Sequence, residues 1–176
     1  YAITQEMDKI FSTFDKSVSE LGFDIKPLLK LEKEGKLKDA YNGYVALIDE
    51  KPNHPEVYVL NGKAGEIGLK LGYYSSSAEH LEVAYKRAPL LEKKNYIYLL
   101  GEAYFKNGEN SKAEDILKEG IDLEDEEISP KCLLKRAEIY IKQGKLNSAK
   151  ADLEKLMRNY PKAPEIEEAK NLKISY

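Results

Sequence analysis

The sequence predicts an all-α protein, an α–α superhelix of about four helix-turn-helix repeats with a capping helix at each end. Three observations lead to this prediction. Glycines recur at a nearly constant interval, apolar residues follow helical spacing on both sides of them, and no long alternating pattern typical of a β-strand is present. The recurring glycines, spaced 37, 36 and 36 residues apart, are Gly35, Gly72, Gly108 and Gly144.

Each repeat is interpreted as two helices joined at its glycine. Glycine adopts a positive φ without a Cβ penalty and therefore ends the first helix. A small residue then begins the buried stripe of the second helix: Ala40, Ser77 or Ala78, Ala113 and Ala149. In three repeats a proline follows the end of the second helix: Pro52, Pro89 and Pro161. Before the last repeat, Ser129 is expected to cap a helix with Pro130 at its first position.

The predicted domain organisation has three parts. Apolar residues at helical spacing in 2–21 predict an N-terminal capping helix over 1–20 that packs on the first repeat. Four repeats follow, at about 21–54, 55–90, 91–128 and 129–162. A C-terminal capping helix over 163–176 begins at Pro164, since the last repeat has no neighbour to cover it.

Length, charge and cysteine content narrow the class of protein. The chain has 176 residues, of which 34% are charged, and a net charge of -3, so we expect no nucleic-acid partner. Cys132 is the single cysteine, which excludes an internal disulfide and fits a reducing compartment or the periplasm. No run of about 18 apolar residues is present. Because the sequence begins at Tyr1, we expect that any membrane association depends on flanking parts missing here.

The array resembles tetratricopeptide repeats. That family has a small residue in the first helix where the two helices touch, seven residues before the turn glycine; here the place is held by Gly65, Gly101 and Ala137. Three residues further on the family has tyrosine, and Tyr104 and Tyr140 match. The resemblance covers roughly 21–162, although the period exceeds the usual value of about 34. It implies a solenoid that holds a peptide or extended segment on a concave face formed by the first helices.

The same resemblance implies a groove lined by rows of equivalent side chains. One row is acidic in three repeats, the next is basic in all four, and two further rows are mostly apolar. The predicted partner-binding residues are Lys33, Gly62, Glu66, Lys70, Tyr98, Glu102, Phe105, Lys106, Leu134, Glu138, Ile141 and Lys142. Such a surface suits an extended peptide of mixed charge with one or two apolar anchors. The alternative is that the Glu–Lys pairs at i,i+4 are ordinary solvated helix surface.

Two glycines of the second repeat, Gly62 and Gly68, have no turn or helix-contact role. Each costs a helix about 1 kcal/mol relative to alanine. One interpretation is closer helix packing, with Tyr73 or Tyr74 filling the space. The other is a pocket at Gly62 that admits a bulky residue of a ligand.

Charge is uneven along the chain. Residues 109–127 hold nine Asp or Glu against two Lys, and residues 131–158 hold eight Lys or Arg against three Asp or Glu. One interpretation is that both segments are solvated outer faces. Another is that the acidic segment and the basic segment attract each other across the repeat junction. A basic patch for an acidic partner or anionic lipid is the alternative.

The sequence favours a non-catalytic scaffold for protein–protein interaction. His54 and His80 lack a His or Cys partner at metal-ligand spacing, Cys132 sits among apolar residues, and no phosphate-binding or nucleophile motif is present. We therefore expect no catalytic residue, metal or cofactor. The alternative is a structural or oligomerisation module in which the 2–21 helix mediates self-association.

The sequence is compatible with two cellular compartments, the bacterial cell envelope and the cytoplasm. Residues 153–173 resemble repeat proteins of the bacterial cell envelope, such as outer-membrane assembly lipoproteins and Tol-Pal-associated periplasmic proteins. That resemblance implies the periplasm or cell envelope, whereas the composition fits a bacterial cytoplasm equally well.

Overall fold

The computed structural model describes residues 22–172. This part of the chain forms nine α-helices and no β-strand, which confirms the predicted fold class. The helices are α1 (Lys26–Lys33), α2 (Leu37–Glu50), α3 (Val57–Leu71), α4 (Tyr74–Arg87), α5 (Leu90–Lys106), α6 (Asn110–Asp122), α7 (Ile128–Lys142), α8 (Leu146–Asn159) and α9 (Glu165–Asn171). Within the described range, none of them has the length and apolar character needed to cross a bilayer.

Some predicted features lie outside the described residues. They are the N-terminal capping helix at 1–20, the self-association assigned to 2–21, and residues 173–176 of the C-terminal cap. The rest of that cap contains α9, which packs on both α7 and α8 and buries Ala169. The repeat boundaries themselves stay a prediction.

The turns between paired helices follow the predicted glycine pattern. The four recurring glycines have φ values of 76°, 83°, 80° and 74°. In each turn, the residue after the glycine donates its N–H to the carbonyl five positions back, as Tyr73 does to Gly68 at 2.8 Å. This is the hydrogen bond of a Schellman motif, which needs a residue with positive φ at the glycine position. The turns pair α1 with α2, α3 with α4, α5 with α6, and α7 with α8.

Small residues let the two helices of a pair touch. A Cβ placed on Gly65 would lie 2.4 Å from Leu81 Cγ, and one on Gly101 would lie 2.6 Å from Leu117 Cδ2. Both leucines are fully buried on the second helix of the pair. The helix-contact role that the sequence assigns to Gly65 and Gly101 is therefore confirmed.

The first helices pack more closely along the stack than the second helices do. Neighbouring first helices contact each other, α3 with α5 and α5 with α7. Among residues 22–172, neighbouring second helices make no comparable contact. Because the stack is tighter along α3, α5 and α7, these helices form its inner side, which we call the first-helix groove. The second helices form the outer side.

The start of α7 differs from the sequence-based expectation for Ser129 and Pro130. The helix begins at Ile128, and it is the Asp125 carboxylate that accepts the N–H groups of Glu127 and Ile128, both at 2.9 Å. Ser129 lies inside the helix, where its hydroxyl donates to the Gly120 carbonyl at 2.8 Å. The predicted cap was wrong because this hydroxyl is buried and joins α6 to α7 instead. Pro130 is accordingly the third helical residue, not the first.

Candidate partner-binding groove

Three repeats each place one half-buried apolar side chain at an equivalent position of the first helix. Leu69, Phe105 and Ile141 stand at equivalent positions near the ends of α3, α5 and α7, and each packs against the main hydrophobic core. Each keeps part of its surface accessible. Tyr98, about two helical turns before Phe105 on α5, is also half-buried against the same core.

Four lysines predicted as groove residues lie at the ends of the first helices. They are exposed, and each lies in the last turn of its helix: Lys33, Lys70, Lys106 and Lys142. Cations are stabilised in the last turn of a helix by the partial negative charge of its free carbonyl groups. The position of these lysines therefore has a local electrostatic reason that is independent of any ligand.

The basic and apolar rows contact each other across repeats. The ammonium of Lys142 lies 4.8 Å from the centroid of the Phe105 ring. This is within the range of a cation–π interaction. Phe105 in α5 and Lys142 in α7 are thus neighbours across two repeats.

The acidic row is half-buried, and one member has a different partner from the one its spacing suggests. Glu138 Oε2 pairs with the Lys135 ammonium at 3.2 Å, whereas the i,i+4 spacing pointed to Lys142. Lys135 also lies 5.8 Å from the centroid of the Tyr98 ring. Burial is the main reason why the pKa of Tyr98 is raised to about 12. Glu66 and Glu102 are the other half-buried members of the row.

Sequence reasoning missed Lys135 because it lies outside the equivalent rows. Glu138 has one lysine three positions before it and another four positions after it, so spacing alone allows either pair. The tyrosine in the preceding repeat decides between them, since only Lys135 reaches its ring.

Two predicted site residues are buried and unavailable to a partner. Leu134 is 5% exposed. Gly62 is also buried, and a Cβ placed on it would lie 2.4 Å from Tyr96 Cε1. The space beside Gly62 is thus filled by a residue of the next repeat, which corrects the pocket interpretation. At Gly68 the equivalent space holds Ser77 Oγ, 2.4 Å away. Packing is the reason for both glycines, although Tyr73 and Tyr74 were the wrong fillers.

The first repeat contributes a buried polar cluster instead of an open groove. Glu32 in α1 pairs with Lys63 of α3 at 3.4 Å and accepts a hydrogen bond from the Tyr44 hydroxyl at 2.6 Å. The side chains of Lys63 and Glu32 are 2% and 6% exposed. Burial, followed by Glu32, raises the pKa of Tyr44 above its ordinary value. This cluster joins the first repeat to the second, and the open part of the groove belongs to α3, α5 and α7.

Cys132 and His80, the two candidate reactive side chains on helices, are held by core packing and by a hydrogen bond, respectively. Cys132 is fully buried, and burial raises the pKa of its thiol to about 12, so it is a core residue as predicted. His80 is half-buried and bonds to Asn61. Within residues 22–172, no three His, Cys, Asp or Glu side chains are grouped as a metal site requires.

Comparison with solved structures places the chain among helical-repeat folds. MamA 41-end from Desulfovibrio magneticus RS-1 is 21% identical with a TM-score of 0.66, covering 82% of this chain and 74% of that one. A second MamA crystal structure is 23% identical with a TM-score of 0.66, covering 80% and 77%. A MamA RS-1 double mutant is 20% identical with a TM-score of 0.66, covering 94% and 88%. At these identities the likeness concerns the fold.

Sequence comparison gives the family of the repeats. Residues 95–127 and 131–163 each match a family model described as a tetratricopeptide repeat. The first stretch contains α6 and most of α5, and the second contains α8 and most of α7. No curated protein sequence matches the chain. Tetratricopeptide repeats generally mediate protein–protein interactions and are typically non-catalytic. The chain is therefore a protein that contains tetratricopeptide repeats.

Proposed function

We propose that this protein is a non-catalytic scaffold that binds an extended segment of a partner protein in the first-helix groove. The observation that carries the proposal is the row of Leu69, Phe105 and Ile141, one half-exposed apolar side chain per repeat on the inner side of the stack. A surface that is partly apolar in the middle and charged at its edges is typical of a binding site for a peptide.

We propose that two charged rows accompany the apolar floor of the groove. Glu66, Glu102 and Glu138 form a half-buried acidic row, and Lys70, Lys106 and Lys142 form an exposed basic row. Charges of opposite sign on the partner would fix its direction and suppress other partners more than they would add affinity. The partner segment therefore carries both acidic and basic residues.

The spacing between repeats defines where the apolar residues of the partner fall. Packed helices lie about 8–10 Å apart, and a ligand in the polyproline II conformation advances about 3.1 Å per residue with three residues per turn, so every third side chain faces the same way. One repeat of the groove thus matches about three residues of the ligand. We expect apolar anchors at every third position of the bound segment, each contacting one member of the Leu69, Phe105 and Ile141 row.

A selection from a displayed library of random peptides tests this proposal. Peptides enriched by the full chain are expected to show apolar residues three positions apart. Their affinity falls about tenfold for a groove variant that combines Lys106→Glu with Lys142→Glu, because both side chains are exposed and contact a bound ligand without supporting the core. A second variant, Phe105→Ala, removes one apolar anchor.

The matched control carries the same charge reversal on the outer side. Lys118→Glu with Lys155→Glu changes two lysines on second helices and leaves peptide affinity unchanged. Selected peptides that bind the groove variant and the control variant equally well would show that the groove is not the binding site.

Self-association through residues 2–21 stays a prediction, and a monomer at every concentration in sedimentation equilibrium would contradict it.

A further inference from the structure

A second candidate binding site lies on the outer side of the stack, between the second helices α4 and α6. Helices α4 and α6 form the walls and α5 forms the floor of a furrow of about 260 Å³ that is open to solvent. Its lining includes Glu82, Tyr85, Tyr104, Asp115, Ile116 and Glu119. We call it the α4–α6 furrow. It shares no lining residue with the Leu69, Phe105 and Ile141 row of the first-helix groove.

Two tyrosines hold two glutamates in place at the walls of this furrow. The Tyr85 hydroxyl donates a hydrogen bond to Glu119 Oε2, and the Tyr104 hydroxyl donates one to Glu82 Oε1. Each carboxylate keeps its other oxygen to accept a further donor. Burial and the hydrogen bond that Tyr85 donates to Glu119 raise the pKa of Tyr85 to about 12. The tyrosines therefore stay protonated, and the glutamate oxygens are fixed before any ligand arrives, which lowers the entropy cost of binding.

The faces of the same tyrosines already attract cations of the chain. Lys93 Nζ lies 5.3 Å from the centroid of Tyr85, and Lys112 Nζ lies 5.5 Å from that of Tyr104. Lys112 also forms an ion pair with Glu109, with a distance of 3.2 Å between Nζ and Oε1. Each ring thus already makes one cation–π interaction with a lysine. The furrow combines aromatic rings that attract cations with carboxylates that accept hydrogen bonds.

The net charge around the furrow favours a cationic ligand. Three carboxylates and two lysines line it. Its α6 wall belongs to the segment 109–127, which holds nine acidic residues against two lysines. An acidic wall of this kind raises the local concentration of a basic partner and speeds its association.

We propose that the α4–α6 furrow binds a basic side chain, preferentially arginine, on a segment of a partner protein. The guanidinium group is planar, donates two parallel hydrogen bonds to carboxylates and stacks on aromatic rings, whereas an ammonium is a compact point charge. The aliphatic part of the arginine lies over Ile116 and Leu100 at the floor. This site is independent of the first-helix groove, so either one can fail without the other.

Amide chemical shifts of the full chain, measured by nuclear magnetic resonance, test the furrow directly. The probe is N-acetyl-Gly-Arg-Leu-Arg-Gly-amide, and its control has citrulline, which is nearly isosteric and uncharged, in place of both arginines. The arginine peptide is expected to give saturable shifts centred on Glu82, Tyr85, Asp115 and Glu119. The citrulline peptide binds about tenfold more weakly, since it cannot form charge-assisted hydrogen bonds.

Two matched variants distinguish direct binding in the furrow from general electrostatic attraction by the acidic segment 109–127. Asp115→Asn with Glu119→Gln weakens binding of the arginine peptide about tenfold. Glu126→Gln with Glu127→Gln removes the same charge from the same segment outside the furrow and changes the affinity less than about twofold. All four side chains are exposed, so the fold is retained, and circular dichroism verifies this.

Three outcomes would overturn the proposal. They are the absence of saturable shifts at the furrow, equal binding of the arginine and citrulline peptides, and equal weakening by the two pairs of substitutions. The first-helix groove variant, Lys106→Glu with Lys142→Glu, is expected to bind the arginine peptide like the natural chain. Loss of binding in that variant would assign the peptide to the groove instead.

Discussion

The ring of Tyr96 lies where a side chain at position 62 would stand. A Cβ placed on Gly62 would be 2.4 Å from Tyr96 Cε1, and Tyr96 is only 7% exposed. The same ring lies edge-on to Tyr58, with the centroids 6.4 Å apart. Gly62 in α3 and Tyr96 in α5 belong to neighbouring first helices. The glycine therefore sets how closely the second and third repeats pack.

Gly62→Ala is expected to destabilise the protein. Alanine favours a helix over glycine by about 1 kcal/mol, but the added methyl must displace a buried ring, and overpacking of this kind costs about 1–3 kcal/mol. Because a 2.4 Å contact is far inside van der Waals distance, we expect the steric cost to exceed the helix gain. The free energy of unfolding, measured with urea, is expected to fall by about 1–2 kcal/mol.

A double-mutant cycle with Tyr96→Leu checks the cause. The smaller side chain leaves room for a methyl at position 62, so Gly62→Ala is expected to cost less in the Tyr96→Leu background than in the natural chain. Equal costs in both backgrounds would show that the ring is not the obstacle. A larger substitution, Gly62→Leu, that left stability unchanged and abolished peptide binding would restore the pocket interpretation.

Ser77→Ala is expected to stabilise the protein. Ser77 is fully buried, and its hydroxyl has no hydrogen-bond partner. The equivalent place in the other three repeats holds alanine: Ala40, Ala113 and Ala149. An unsatisfied buried hydroxyl costs about 1–3 kcal/mol, and alanine is also the better helix former. The midpoint of urea unfolding therefore rises, by the equivalent of about 1 kcal/mol.

The control is Ser75→Ala, since Ser75 lies on the same helix and is exposed. Its effect is expected to stay within about 0.5 kcal/mol. A lower midpoint for Ser77→Ala would mean that the hydroxyl contributes a bond in solution that offsets its burial.

The architecture was predictable because the features that fix it are local. A glycine with positive φ is required at each turn, and Gly72 and Gly108 satisfy that requirement at a regular interval. The small residues at Gly65 and Gly101 follow from the same register, since two helices cross there. Such requirements act within one repeat and are therefore visible in the sequence.

The details of the site depend on contacts between repeats, which a single sequence does not determine. Tyr96 fills the space at Gly62 from 34 residues away. Lys135 prevails over Lys142 as the partner of Glu138 because Tyr98 from another helix stands beside it. The positions of the exposed lysines, by contrast, needed only the helical register, and Lys70 and Lys106 are exposed as expected.

The ion pair between Arg136 and Asp152 is expected to matter for stability. It joins α7 to α8 through two hydrogen bonds of 2.8 and 2.7 Å, and the two side chains are 18% and 6% exposed. Asp152→Ala leaves the guanidinium half-buried without its carboxylate, so the free energy of unfolding falls by about 2–3 kcal/mol. Arg136→Lys keeps the charge but loses the paired geometry, and is expected to cost about 1 kcal/mol.

The exposed pair of Lys118 and Asp122 provides the control. Its 2.8 Å distance is similar, but its side chains are 66% and 58% exposed. Lys118→Ala is expected to leave the unfolding midpoint unchanged, because solvent screens exposed pairs. Similar effects from Lys118→Ala and Asp152→Ala would contradict the role given to burial.

Acid is expected to weaken the junction between the first and second repeats through His80. Its Nδ1 lies 3.0 Å from Asn61 Oδ1, and its Nε2 lies 3.5 Å from the Tyr41 hydroxyl. Asn61 Nδ2 donates to the Val57 carbonyl at 3.1 Å, so its oxygen faces the ring and accepts from Nδ1. This arrangement fits a neutral imidazole that accepts at Nε2.

Burial lowers the pKa of His80 below the ordinary value of 6.5, although Glu79 and Asp49 partly oppose the shift. Between the folded and unfolded pKa values, the unfolded chain binds more protons than the folded chain. The contribution of His80 to stability is therefore fully present above pH 6.5 and is lost as the pH falls below it.

Urea unfolding at about pH 7.5 and about pH 5.5 measures this loss. Carboxylates also begin to titrate over this interval, so the test is a comparison of variants. The natural chain is expected to lose more free energy of unfolding on acidification than His80→Gln, whose side chain keeps polar groups but does not titrate. If His80→Gln and the natural chain lose the same free energy of unfolding on acidification, then protonation of His80 does not weaken this junction.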